Sequence, residues 1–293
     1  MERPKGRPRF RALDLVLVLA LVLIAGLAAA FHSRVGRWPA VALGCLGAAG
    51  LFLGLNLIQR RLTRPGGRFF LRLLSVSLAL GAIYEASLRL AFIAWPAWQD
   101  RSLIALEKAL FGGAPTVWLQ AFVRPGLTEW MMFAYVFYFA LYPIVTAVLF
   151  FRRGEAVFEG FLFTLAFNNI VCNFLYPVYP VNNPVAGLGA LHTVPLEGYA
   201  ATAVAEFMRA SMTPGGGMPS GHAAATTIML LAAFKHERRL FYPLLALGLS
   251  LIASTVYGRF HYLSDTLMGV GLAFVCWRAA PLVKRRLDRA LAR

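Results

Sequence analysis

The sequence predicts an all-α membrane protein, a polytopic bundle of about eight transmembrane helices with a six-helix core. Of its 293 residues, 59% are hydrophobic and 14% are charged, whereas soluble domains carry about 25% charged residues. The apolar residues are gathered into runs of about twenty, which is the length that an α-helix needs to cross a bilayer. Both observations argue against a soluble globular domain.

Eight apolar runs predict the spans. They lie at about residues 12–31, 38–58, 70–94, 128–151, 156–178, 219–234, 240–258 and 262–282. The first run follows five basic residues, as the apolar part of a signal peptide does, but it is long for that role. We therefore expect it to remain in the protein as a signal-anchor helix.

The basic residues fall unequally on the two sides of these spans. With the N-terminus inside, the inner segments are 1–11, 59–69, 152–155, 235–239 and 283–293, and they hold nineteen Lys and Arg residues against seven in the outer segments. This bias follows the positive-inside rule, and it accounts for the net charge of +16 without a nucleic-acid partner. Both termini are expected in the cytoplasm.

Two outer segments are long enough to contain structure of their own. Residues 95–127 include a predicted interfacial helix, Asp100 to Phe111, which the following Gly-Gly-Ala-Pro sequence ends. Residues 179–218 are expected to fold over the outer face, because long loops in compact proteins are often lids or binding elements.

The first polar motif is Pro-Ser-Gly-His at residues 219–222, directly before an apolar run. Proline is favoured in the first turn of a helix, so backbone N–H groups near Ser220, Gly221 and His222 should point outward. Such N–H groups and the helix dipole bind anions, and Gly221 lets a ligand approach the backbone. His222 would then be placed as a general acid. The alternative is a capped helix with an incidental histidine.

The second motif contains His261 and Asp265, four residues apart at the start of the last span and thus on one helix face. A carboxylate can fix the imidazole tautomer and stabilise its cation, which leaves the other ring nitrogen free as a nucleophile. A polar first turn at the membrane surface is the alternative. His222, His261 and Asp265 could also be three ligands of a metal ion.

Together the motifs resemble the type-2 phosphatidic acid phosphatase superfamily. The residues that carry the resemblance are Pro219, Ser220, Gly221, His222, Ser254, Tyr257, His261, Asp265 and Gly269. The sequences at 254–262 and 110–115 are similar to the branch that includes inositol phosphorylceramide synthases. The resemblance implies that His261 attacks phosphorus, that Asp265 orients His261 and that His222 protonates the leaving group. It implies no metal and no other cofactor.

The chain departs from the family pattern in its cations. The usual first motif, a lysine followed at seven residues by Arg-Pro, is absent, and Thr255 stands where the third motif has arginine. Arg259, two residues before His261, is the first candidate for a phosphate ligand, and Arg89, four residues after Glu85, is the second. Lys108, Arg124 and Arg209 are weaker candidates for the same role, and each is expected instead to be a solvated charge at the interface.

We therefore expect an integral membrane enzyme that transfers a phosphoryl group of a lipid phosphate or phospholipid at the extracytoplasmic face. Residues 1–69 would form two N-terminal helices and residues 70–293 the catalytic domain, in a plasma membrane or bacterial inner membrane. Water as acceptor would make it a phosphatase, and an alcohol would make it a phosphotransferase or a head-group transferase. A lipid transporter or binding protein that has lost the chemistry is the alternative outside enzymes.

Overall fold

The structure is a computed structural model that describes residues 10–292, and within this range every regular element is helical. Five basic residues of the orientation count lie outside the described residues: Arg3, Lys5, Arg7, Arg9 and Arg293. The polytopic helical bundle predicted from the apolar runs is confirmed. Each predicted run coincides with one long helix or with a pair of consecutive helices.

The long helices carry the spans. They are α1 (Ala12–Ala30), α2 (Trp38–Arg61), α3 (Pro65–Arg89), α8 (Glu155–Leu175), α11 (Gly221–His236), α12 (Arg238–Tyr257) and α13 (Leu263–Leu291). The fourth predicted run is a bent pair, α6 (Pro125–Val136) and α7 (Tyr138–Val148), continued by a π-helical turn at Leu149–Arg153. The shorter elements are α4 (Asp100–Phe111), α5 (Pro115–Trp118), α9 (Pro184–Leu188), α10 (Ala200–Ser211) and 3₁₀ turns at Leu119–Phe122 and Gly189–Leu191.

Six helices of the described residues are long and apolar enough to cross a membrane, and the α6–α7 pair, bent by 47°, would be a seventh. The remaining predicted span, α11, has 16 residues, and most of them are buried small or apolar side chains. This helix packs against α8, α12 and α13. Because it is surrounded by other helices, α11 does not need a lipid-facing apolar surface of its own.

A buried ion network joins four helices at one end of the bundle. Arg72 of α3, 2% exposed, donates from Nη1 to Asp14 of α1 and to Asn56 of α2, at 2.6 Å in both cases. Its Nε and Nη2 atoms each donate to Glu159 of α8 at 2.8 Å. This pairing satisfies charges that would be costly inside a membrane bundle if they were left alone. It also fastens the N-terminal helices to α8.

The two histidine motifs lie at the opposite end of the bundle. Helices α3 and α8 begin at the ion network and finish beside the start of α11, where Tyr84 and Tyr176 pack ring against ring. The helix predicted at the interface is present as α4, and Gly112 ends it in a left-handed conformation with φ of 81°. The segment between α8 and α11 contains α9 and α10, so the long outer loop is largely structured.

Candidate functional site

Helix α11 begins at the first motif, as its sequence predicts. Ser220 is the residue before the helix, and its side-chain oxygen accepts a hydrogen bond from the Ala223 N–H at 3.3 Å. The Ser220 N–H donates to the Asp265 carbonyl at 3.0 Å, which joins the first motif to the second. Gly269 allows this contact, because a Cβ there would clash with the Ser220 carbonyl.

A tight turn between α12 and α13 places His261. The Thr255 carbonyl accepts from the N–H of Phe260 at 3.0 Å and from the N–H of His261 at 2.9 Å. The His261 Nδ1 atom lies 2.9 Å from the Gly217 carbonyl. Since a carbonyl can only accept, Nδ1 carries the proton in this arrangement, and Nε2 of the neutral ring keeps its lone pair.

Asp265 has two contacts at the start of α13. Its Oδ2 atom accepts from the Tyr262 N–H at 2.9 Å and lies 3.6 Å from His261 Nδ1. A separation of 3.6 Å is too long for a hydrogen bond, so the Gly217 carbonyl is the nearer orienting group and Asp265 supplies negative charge. The Asp265 Oδ1 atom is buried without a hydrogen-bond partner in the described part of the chain.

His222 faces His261 across a narrow gap. The two ring centroids are 6.2 Å apart, with 56° between the ring planes. His222 also stacks on Tyr135 at 4.9 Å between centroids and contacts Tyr138 at 4.5 Å. Its Nε2 atom is buried and has no hydrogen-bond partner among residues 10–292. The predicted joining of the two motifs is therefore present in the structure.

Four tyrosines from four helices surround the first turn of α11. Tyr135 and Tyr138 contact the His222 ring, and the Tyr176 hydroxyl lies so close that a Cβ at Gly221 would be 2.8 Å from it. Tyr84 packs edge to face on Tyr176, with centroids 6.3 Å apart. The Tyr176 hydroxyl places a hydrogen-bond donor beside Gly221 at the helix start. The scattered sequence positions gave no signal of this cluster.

A sequence model of the PAP2 superfamily matches residues 101–279. The chain belongs to the PAP2 superfamily. The match extends from α4 into α13, so it includes both histidine motifs and leaves out α1, α2 and α3. Comparison with curated proteins gave no match, and neither did comparison with solved structures. PAP2 proteins are typically phosphatases or phosphotransferases, which supports a phosphatase-type function here.

Arg259, the first candidate for a PAP2 phosphate ligand, lies beside the nucleophile turn and is 8% exposed. Its backbone has a positive φ of 59°, and its Nη2 atom donates to the Val194 carbonyl at 2.6 Å. Burial and the neighbouring Arg209 lower the pKa of Arg259. Burial, Arg259 and Arg209 together lower the pKa of His192 to about 4. Because Arg209 and Arg259 both disfavour further positive charge near this turn, the turn is a favourable place for an anion.

Arg209 is not the solvated interfacial charge that the sequence predicts. Its side chain is 16% exposed, and it donates to the carbonyls of Gly258 and Arg259 within the turn before His261. Its guanidinium also lies 4.0 Å from the centroid of the Phe260 ring. Arg209 therefore holds the main chain of this turn. Lys108 and Arg124 are exposed, as predicted.

Arg89 has different surroundings from the other predicted site residues. It lines a surface pocket with Arg37 and Glu85, and neither His222 nor His261 lines that pocket. The Glu85 carboxylate accepts a hydrogen bond from Thr213 at 3.1 Å, so the predicted Glu85–Arg89 pair is not the contact that this carboxylate makes. A role for Arg89 at the substrate phosphate stays a prediction.

Two buried carboxylates of α4, which sequence analysis missed, support the second motif. Glu107 Oε1 accepts from the Ser264 N–H at 2.8 Å and from the Ser264 hydroxyl at 3.0 Å, and so caps α13. Asp100 accepts from the Tyr262 hydroxyl at 3.0 Å. Burial raises the pKa of both carboxyl groups, although these hydrogen bonds act in the opposite direction.

The metal alternative requires His222, His261 and Asp265 to converge on one ion. Among the described residues, no group of three or more His, Cys, Asp and Glu side chains is arranged to hold a metal ion. The Nδ1 atom of His261 already faces the Gly217 carbonyl. The histidine pair therefore provides the chemistry on which the functional assignment depends.

Proposed function

We propose that the protein transfers the phosphoryl group of a membrane lipid through a phosphohistidine at His261. The observation that carries this proposal is the pairing of His222 and His261, whose ring centroids are 6.2 Å apart. Reacting atoms in a near-attack arrangement are about 3–3.5 Å apart. A phosphoryl group between the rings would thus be within reach of a nucleophile on one side and an acid on the other.

The first step forms a bond between His261 Nε2 and phosphorus and breaks the bond from phosphorus to the leaving oxygen. The electron pair of the broken bond stays on that oxygen, which takes a proton from His222. The imidazole becomes positively charged as it is phosphorylated. The Gly217 carbonyl, 2.9 Å from Nδ1, and the Asp265 carboxylate, 3.6 Å from it, stabilise that charge.

In the second step an acceptor oxygen forms a bond to phosphorus, the bond from phosphorus to His261 Nε2 breaks with its electron pair returning to Nε2, and His222 takes the proton from the acceptor. Water as acceptor releases phosphate, and an alcohol gives a new phosphate ester. Both histidines then return to their starting states. Every proton and bond is accounted for by these two side chains, so we propose no metal and no other cofactor.

The phosphate oxygens need positively polarised neighbours, because phosphoryl transfer depends mainly on positioning and electrostatic stabilisation. We propose the backbone N–H groups of Gly221 and His222 as donors, together with Ser220 and the side chain of Arg259. The free first-turn N–H groups of α11 supply them. Phenol hydroxyls of the tyrosine cluster would add further donors where the family's usual cations are missing.

We propose that this site faces the extracytoplasmic side. Support comes from the charge bias, because basic residues are concentrated in segments at the ion-network end, including Arg60, Arg68 and Arg152. The histidine motifs lie at the other end. A substrate would then be a lipid whose phosphate lies at the outer headgroup level.

Head-group transfer of the inositol phosphorylceramide synthase type is the second candidate. The resemblance of residues 254–262 and 110–115 to that branch supports it. In the structure α4, which ends at the second of these sequences, contacts the start of α13 through Glu107 and Ser264. Tyr262, the last residue of the first of these sequences, also donates from its hydroxyl to Asp100 of α4, so the two similar sequences lie on segments that touch each other.

Purified protein in detergent, supplied with a panel of lipid phosphates, tests the proposal. We expect phosphate release or transfer by wild type, a labelled phosphoenzyme after acid quench, and neither with His261→Ala. His236→Ala, at the far end of α11, is the matched control. If His261→Ala kept more than about a tenth of wild-type activity, His261 would not be the nucleophile, because removing a nucleophile usually lowers activity by orders of magnitude. No turnover on any lipid would favour the transporter alternative.

Arg259 and the metal question have separate tests. Because a planar guanidinium grips phosphate in bidentate fashion, Arg259→Lys should lose substantial activity and Arg259→Ala should lose more. Nearly intact turnover in both would mean that Arg259 only anchors the Val194 loop. Activity is expected to survive chelation, and a loss that zinc or magnesium reverses would contradict the metal-free mechanism.

A further inference from the structure

A pocket lined by small apolar side chains and three charged ones lies outside the histidine site, at the same end of the bundle. Its volume is about 400 Å³, within the usual range for small-molecule sites. The walls come from the α1–α2 connection, the first turns of α2 and the last turns of α3. Five of the lining residues have small side chains or none: Gly36, Ala40, Gly44, Ala82 and Ala86. They leave an open groove between α2 and α3.

Three charged residues line this groove: Arg37, Glu85 and Arg89. Within residues 10–292, neither arginine has a carboxylate within salt-bridge distance, and Glu85 binds Thr213 instead. Two guanidinium groups and one carboxylate leave a net charge of +1. That charge complements a single phosphodiester, which guanidinium groups bind through paired hydrogen bonds.

Arg37 has a strained backbone. Its φ of 53° lies in the left-handed region, which residues with a side chain rarely adopt. Trp38, the next residue, is 37% exposed and would suit a position at the headgroup level. In this conformation Arg37 lines the pocket, next to a tryptophan that would suit the depth at which lipid phosphates lie.

We propose that this groove binds a phospholipid, with its phosphodiester on Arg37 and Arg89 and the start of an acyl chain along the small residues of α2 and α3. A donor on the headgroup, an amine or a hydroxyl, would reach Glu85. This binding does not depend on the catalytic proposal, since no histidine lines the groove.

The groove is also connected to the histidine site. Glu85 accepts a hydrogen bond from Thr213. Gly217, four residues after Thr213, contacts His261 Nδ1 through its carbonyl oxygen. Between them a Cβ at Gly215 would meet Trp98 and one at Gly216 would meet Tyr84, so this segment is closely packed. The bound lipid would therefore lie beside the segment that orients the nucleophile.

The test measures bound lipid by native mass spectrometry after incubation with dioleoylphosphatidylglycerol. It uses the His261→Ala background, so that lipid is not consumed and failure of the catalytic proposal does not affect the result. We expect Arg37→Gln/Arg89→Gln to lose one bound lipid. The matched control is Arg101→Gln/Arg124→Gln, which removes the same charge from exposed arginines of the same face and should retain the lipid.

A second variant tests the groove without changing its charge. Gly44→Leu places a bulky side chain where a Cβ has open space, and should also lose the lipid. If either the double arginine variant or a folded Gly44→Leu variant bound as much lipid as the protein without these changes, the proposal would be overturned. Displacement of the lipid by millimolar inorganic phosphate would also overturn it, because it would show a site for free phosphate.

Discussion

The guanidinium of Arg209 lies over the ring of Phe260, 4.0 Å from its centroid. Phe260 in turn lies face to face with Tyr135, with centroids 3.8 Å apart, and Tyr135 stacks on His222. Because Arg209 also binds two carbonyls of the turn before His261, one side chain of the outer segment is connected to both histidines. Arg209 is therefore in a position to influence the spacing of the two histidines, between which we propose that the phosphoryl group moves.

Arg209→Lys should therefore lower kcat by about 10²-fold and change KM little, since a displacement of about 1 Å at a reacting centre can cost that much. Lysine keeps the charge but cannot bridge two carbonyls in a fork. Steady-state kinetics of Arg209→Lys beside Arg124→Lys, an exposed control, would check this. A raised KM with unchanged kcat would instead make Arg209 a substrate ligand.

His222→Ala should reduce turnover most for substrates with poor leaving groups. A general acid contributes about 10²–10⁴-fold when the departing oxygen needs a proton, and much less when that oxygen is already stable as an anion. The measurement compares an alkyl phosphate with an aryl phosphate of low leaving-group pKa. Equal losses on the two substrates would contradict the acid role, leaving His222 as a structural partner of Tyr135.

The positions of the helices and motifs could be read from the sequence because their signals are local. Apolar runs mark the spans, and Pro219 with Gly221 marks a helix start beside polar residues. Two spans differ most from their predicted ranges. The third, predicted at 70–94, is observed as α3, Pro65–Arg89, since proline is favoured at a first turn. The last, predicted at 262–282, is observed as α13, Leu263–Leu291. The charge bias then placed both histidines at one end.

The contacts of single charged residues could not be read in this way. In the sequence, nothing distinguishes Arg209 from other arginines at the interface. Its role depends on the packing of α10 against α6 and on its contacts with the turn after α12. The tyrosines around His222 come from distant parts of the chain, and aromatic residues in spans are usually core. Arg89 and Glu85 have the spacing of a helix pair, yet Thr213 of a distant loop binds Glu85. Tertiary packing decides each of these contacts.

Glu107 should make stability depend on pH in the acidic range. Its raised pKa means that the folded protein takes up a proton at a higher pH than the unfolded chain. The folded state then binds more protons within this window, so the free energy of unfolding falls as pH rises from the ordinary glutamate pKa of about 4.3 to the raised value. Lower pH within the window is stabilising.

Thermal unfolding in detergent at several pH values measures this contribution. Glu107→Gln should remove it, so the Tm of wild type relative to the variant should fall as pH rises through the window. Glu197→Gln, at an exposed carboxylate, is the control and should leave the pH profile unchanged. A Glu107→Gln profile parallel to that of wild type would show that the carboxyl group does not titrate differently on folding.

Arg72→Ala should destabilise the bundle by about 3–5 kcal/mol, because it leaves the buried carboxylates of Asp14 and Glu159 without their shared partner. The exposed Arg61→Ala, at the same end, should cost much less. Replacing all three charges, as Arg72→Met/Asp14→Asn/Glu159→Gln, should recover much of the loss, because no carboxylate is left there without Arg72. Arg11 keeps its pair with Glu155, and Arg60, which loses Asp14, is 29% exposed and can be solvated. Denaturant unfolding of the variants in detergent would give the free energies. If the triple variant were no more stable than Arg72→Ala, the loss would come from packing around Arg72 and not from uncompensated charge.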